Sequence, residues 1–164
     1  MKKITLLITL ASIITLSSCG PTVSELISFN DELVDYEIDI VDALDVLYET
    51  FDTYQEDEMW SALDELHKAG KKCKAGISDV NIEGGQELKQ SLMDLSDFII
   101  HASKNELIEV VNNLLIPDED YTDDDKAHYD LMANGFDAQS NLLIEAFIER
   151  QQEFGGRNNF DIEY

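Results

Sequence analysis

Basic residues are scarce in this chain, with 11 Lys and Arg against 35 Asp and Glu over 164 residues and a formal charge of -24. Nucleic acid and anionic lipid surfaces both require Lys and Arg to neutralise phosphate, so neither is expected as a partner. A basic protein or a multivalent cation fits the charge. The Gly-rich loops that cradle phosphate are missing, since Gly84-Gly85 and Gly155-Gly156 belong to no such pattern. There is no nucleophile elbow, no dense His cluster, no internal repeat, and no strand signal before the last few residues. Only 2 Cys, 2 Pro and 1 Trp occur, and the length allows one domain with little room for a second. The hydrophobic fraction of 44% is too high for an acidic disordered tail, which cannot bury enough apolar surface to offset chain entropy. A folded acidic domain is expected, with no cofactor.

The N-terminus supplies an address. Met1-Lys2-Lys3 carries positive charge, and Ile4 to Leu16 is an uncharged apolar run shorter than the ~20 residues of a spanning helix. It ends in Leu16-Ser17-Ser18-Cys19-Gly20, which resembles the lipobox of bacterial lipoproteins. That resemblance implies a signal peptide over residues 1–18, a diacylglyceryl group on the Cys19 thiol, and acylation of the freed amine. The competing explanation is an ordinary cleaved signal followed by an incidental Cys. Each buried CH₂ contributes about 0.8 kcal/mol, so two or three acyl chains hold a protein on a membrane where one does not. Gly20 is not the Asp that retains enteric lipoproteins in the inner membrane, so the outer membrane is the expected destination. Cleavage takes away Lys2 and Lys3 and makes the mature protein more acidic still.

From Thr22 onward apolar residues recur with helical period. Thr22 and Glu25 have capping-box spacing, and the stripe Leu26, Phe29, Leu33, Ile40, Leu44, Leu47, Phe51, Tyr54 follows. Asp31, Asp35, Asp39, Asp42, Asp45 and Glu49 fall on the other side. A second seam runs Met59, Leu63, Leu66, Gly70, Cys73, Ile77, Val80, and a third runs Leu88, Leu92, Leu95, Ile99, Ala102. The phase then slips, which predicts a kink near Ser103 to Asn105, with Ser103 and Glu106 at capping-box spacing and Leu107, Val111, Leu114, Leu115 on a rotated face. Pro117 stops that helix. Thr122 and Asp125 repeat the capping spacing before a fourth stripe of Met132, Phe136, Leu143, Ala146, Phe147 and Phe154, and Gly155-Gly156 ends it. The expected fold is all-α, an antiparallel four-helix up-and-down bundle over residues 19–155 with a short tail at 156–164.

The layout also resembles a family of small, acidic, all-helical bacterial surface lipoproteins of uncharacterised function. The resemblance lies in the lipobox, Asn30-Asp31, Ile40-Val41-Asp42-Ala43-Leu44, Phe51-Asp52-Thr53-Tyr54, Pro117-Asp118-Glu119 and Asn159-Phe160-Asp161-Ile162. It implies a helical architecture and no mechanism.

Several residue groups invite chemistry and have structural explanations beside it. The run Asp118 to Asp125 is rich in carboxylates but fails as an EF-hand, with Asp123 at the glycine position and Tyr129 at the glutamate position. Acidic residues in a first helical turn are attracted to the positive helix end in any case. Asp64-x-x-His67 and Asp125-x-x-His128 have the spacing of di-metal bundle ligands, yet Asp64 sits off its seam. His67, Lys68, Lys71, Lys72 and Lys74 form a basic cluster around Cys73, which favours a reactive thiolate, while its seam position favours a buried inert one. Glu37 interrupts the first apolar stripe, and Gln139 holds the same kind of place on the fourth. Counting from the turns puts Glu37, Cys73 and Gln139 at similar heights, a buried polar layer that fixes helix register or floors a small pocket. The expected function is a non-enzymatic envelope lipoprotein acting as a binding module. An immunity-type inhibitor of a cationic toxin and a metal-dependent helical-bundle enzyme are the alternatives.

Overall fold

A computed structural model describes residues 20–162. The first helix, α1 at Val23–Phe51, begins as the capping box requires: the Glu25 amide donates to Thr22 Oγ1 at 3.3 Å and the Thr22 amide to Glu25 Oε2 at 2.7 Å. Its buried face is Leu26, Phe29, Leu33, Ile40, Leu44 and Leu47. A turn of four residues leads to α2, Glu56–Asp79, whose inward face is the seam Met59, Leu63, Leu66, Gly70, Cys73 and Ile77. Gly84 turns the chain with φ of 81°, a conformation costly for residues with a Cβ, and α3 follows at Gln86–Ala102 with Leu88, Leu92, Leu95, Ile99 and Ala102 buried.

Where a kink was expected the helix breaks. Ser103 caps the end of α3, and a separate helix, α4 at Glu106–Leu114, starts from Asn105 without a side-chain cap. The Ser103 hydroxyl is not available to cap Glu106's turn, because it lies 2.9 Å from His67 Nδ1 and 3.2 Å from the Ile100 carbonyl. The last helix, α5 at Asp123–Asn158, opens on the Thr122 and Asp125 capping box and runs through Gly155 and Gly156. It stops at Asn159, in the left-handed conformation with φ of 57°, where the Phe160 amide donates back to the Gly155 carbonyl at 3.2 Å. The expected boundary at residue 155 therefore moves to Asn158. Packing outweighs the ~1 kcal/mol that each helical glycine costs. The tail folds over Gly155, where an added Cβ would meet Ile162 at 2.8 Å.

The protein is all-helical: five helices stand where four were expected, and no strand occurs among the described residues. The helix pairs α1–α2, α2–α3, α4–α5, α3–α5 and α1–α5 run antiparallel, as the paired residue numbers show. Along α1 and α2, Asp39 meets Lys72 at 2.6 Å. Along α2 and α3, His67 meets Ser103 and Cys73 meets Ser96. Asn113 on α4 donates to the Asp125 carbonyl at 2.8 Å, and Arg157 near the end of α5 reaches Glu87 at the start of α3 at 3.1 Å. Between α1 and α5, Phe29 meets Phe154 with ring centroids 5.5 Å apart, and Tyr48 donates to Asp137 at 2.6 Å. Among the described residues no helix is long and apolar enough to cross a membrane.

Candidate functional site

The residues singled out from sequence separate in space. Cys19 lies outside the described residues. Cys73 is fully buried on α2, with its Sγ 2.9 Å from the Ser96 hydroxyl on α3. That hydroxyl also lies 2.8 Å from the Leu92 carbonyl; with one proton to give, it donates to one of the two. Burial pushes the Cys73 thiol up to about 11, and Asp39 and Glu37 push the same way against the Ser96 contact. Lys71, Lys72 and Lys74 are exposed; Lys72 is held by Asp39 and Lys74 by Asp97. Two of the three cations are therefore taken up by surface carboxylates, away from the thiol. A thiol reagent should label the native protein slowly and the denatured protein fast; rapid native labelling would show that the thiol opens to solvent.

Glu37 is half-buried, and desolvation followed by the charge of Asp42 raises its carboxyl above 4.5. Its neighbours on α1, Tyr36 and Asp39, lie against Gly76 and Lys72 of α2, which bracket Cys73. Gln139 does not join them. It is exposed, and no hydrogen bond links it to Glu37 among the described residues. On α5 the inward polar groups are Ser140 and Gln151. Ser140 lies a full turn beyond the buried Phe136, whereas Gln139 falls at the margin of that face. The three-membered polar layer is thus corrected to the Cys73 and Ser96 pair with Glu37 at its edge. Because folding raises the Glu37 pKa, the folded state binds more protons than the unfolded state between the two values. Stability then falls as pH rises from 4.5 through the folded pKa. Glu37→Gln should flatten that slope and raise stability at neutral pH, checked by urea melts across this range.

Neither carboxylate-His pair works as a unit. Asp64 is bound to Lys68 at 2.8 Å, while His67 turns to Ser103; burial, then Lys104 and Lys71, lower its pKa. Asp125 is taken up by capping Thr122, and His128 lies 3.9 Å from Glu109. Among the described residues no three His, Cys, Asp or Glu come together as metal ligands. The acidic run divides into a turn at Asp118 to Asp120 and the first turn of α5 at Asp123 to Asp125.

What the folding does assemble is a charged surface. Asp31, Asp35, Asp42, Asp45 and Glu49 line the outer side of α1, all exposed and none in an ion pair among the described residues. Asp39 departs from this row; it is half-buried against Lys72. The cations elsewhere are largely committed, Lys68 to Asp64 and Glu65, Arg150 to Glu153, Arg157 to Glu87. Such exposed pairs are screened by water and salt and add little to stability.

Fold and surface together define an acidic all-helical protein with its surplus carboxylates in rows. Comparison with protein-family models, with curated proteins and with solved structures found no match to the chain.

Proposed function

We propose that the protein is a non-enzymatic lipoprotein of the outer membrane, anchored by a diacylglyceryl group on Cys19, whose helical domain binds a basic partner through its acidic faces. In this reading α3 and α4 form one interrupted arm of an antiparallel four-helix up-and-down bundle. The observation that supports binding is the unpaired row Asp31, Asp35, Asp42, Asp45 and Glu49 on α1. Like charges one turn apart repel by a few tenths of a kcal/mol per pair. A cationic surface relieves that repulsion, and the long-range field of so many carboxylates steers it in. The lipobox resemblance supports the anchor.

Two measurements separate anchor from binding. Cys19→Ser should move the protein from the detergent phase to the aqueous phase; a mutant that still partitions with membranes would sink the anchor. The combined variant Asp35→Asn, Asp42→Asn, Asp45→Asn, Glu49→Gln should keep its helical circular dichroism and lose a basic partner captured from solubilised envelope at low salt. A partner that is acidic, or that binds the variant as well as the wild type, would overturn the binding role.

A further inference from the structure

At the pole formed by the α1–α2 turn and the α4–α5 loop, three tyrosines from separate segments line one cavity of about 330 Å³. Tyr54 comes from the turn, Tyr121 from the loop and Tyr129 from the second turn of α5; Asp118 and Asp130 lie in the same wall. The volume is at the lower end of the range of about 300–1,000 Å³ usual for small-ligand sites. Leu114 and Ile116 contribute apolar surface to it.

Backbone strain places one ring, a hydrogen bond holds the second and partial burial the third. Tyr54 has φ of 53°, in the left-handed region that a residue with a Cβ enters uncommonly, and yet it is 66% exposed. No core packing explains an aromatic residue there, where Asn or Gly would complete the turn without strain. The Tyr121 hydroxyl donates to Asn113 Oδ1 at 3.0 Å, and Asn113, buried, donates in turn to the Asp125 carbonyl. Tyr129 is half-buried. Burial is the first cause holding the Tyr129 hydroxyl above its ordinary pKa, followed by Asp137 and then Tyr54 and Tyr121.

Aromatic faces attract cations, most strongly where water is displaced, and neighbouring carboxylates add to the attraction. An apolar floor suits methyl or methylene groups attached to the charge. We propose that this pocket binds an alkylammonium cation, with Tyr54, Tyr121 and Tyr129 around its charged head and Asp118 and Asp130 balancing it. The site goes beyond the acidic face of α1 and stands whether or not that face engages a basic partner. Lys126 lines the same cavity and forms no ion pair among the described residues, so it competes with the ligand.

An alkylammonium reaches such a site either as a free quaternary amine or as a lysine side chain of another protein. The test is an NMR titration of the full-length protein in detergent with choline, its neutral carbon isostere 3,3-dimethyl-1-butanol, and Nα-acetyl-lysine methylamide. Saturable shifts of the Tyr54, Tyr121 and Tyr129 ring resonances are expected with a cation, and binding of the isostere roughly tenfold weaker. Preference for choline assigns a small quaternary ligand; equal or better binding of the lysine derivative assigns a protein side chain. Tyr54→Gly removes a ring while relieving the left-handed strain, so it should weaken cation binding roughly tenfold with the melting temperature kept or raised. Tyr54→Phe should bind as the wild type does, and Lys126→Gln should bind more tightly. Equal affinity for choline and the isostere, unmoved tyrosine resonances, or full binding by Tyr54→Gly would overturn the proposal.

Discussion

Replacing Phe154 by alanine should lower stability by about 3–5 kcal/mol, the range for truncating a fully buried aromatic residue. Phe154 has no exposed surface and joins three parts of the chain. Its ring meets Phe29 of α1 at 5.5 Å and Phe160 of the tail at 5.8 Å, edge-on in the second case. Truncation leaves both rings without a partner and loosens one of the two places where α1 and α5 meet. For a chain of this size each kcal/mol shifts the melting temperature by ~2–4 °C, so a fall on the order of 10 °C is expected in a thermal melt followed by circular dichroism. A change within about 0.5 kcal/mol of the wild type would mean that the tail and α5 do not close over this end.

The second large effect comes from adding a single carbon. In Gly85→Ala the new Cβ would lie 2.6 Å from Cε1 of Phe29 and 2.6 Å from Cγ2 of Ile82. Phe29 is itself buried and packed against Phe154, with ring centroids 5.5 Å apart, which restrains its movement. Overpacking of this kind costs about 1–3 kcal/mol. Helix propensity is no objection to alanine here, since Gly85 is the residue before α3 with φ of -92° and ψ of 0°. Phe29→Leu shortens the obstructing side chain, so the double variant should be less destabilised than the two single losses added together; denaturant melts of the four proteins measure that coupling. Strict additivity would show that the clash is relieved elsewhere.

The helical pattern was legible where side chains alone decide it. Thr22 with Glu25 and Thr122 with Asp125 start their helices as read, because a capping box satisfies orphan amides within four residues and needs no distant partner. The seam from Met59 to Ile77 is buried as its alternating steps require. Reading failed where a distant group decides. Ser103 is claimed by His67 of another helix, which turns a kink into a break. Gly155 looked like a stop signal and instead makes room for Ile162. Gln139 and Ser140 are adjacent, and only the packing of α5 against its neighbours chooses which one turns in. Tyr54, Tyr121 and Tyr129 share no spacing rule, so nothing local announces their meeting; the one available signal was a tyrosine where a turn favours Asn or Gly.

On the proposed anchor, the length of α1 sets the greatest distance its far end can reach from the membrane. It starts four residues after Cys19 and continues unbroken for 29 residues, a mast of about 43 Å at 1.5 Å per residue. Three residues, Gly20 to Thr22, separate Cys19 from the helix, so the base of the mast stays beside the proposed acyl chains. The tyrosine pocket then sits at the far end of the mast while the base is confined to two dimensions. Shortening α1 by whole turns would lower that reach by about 5.4 Å each.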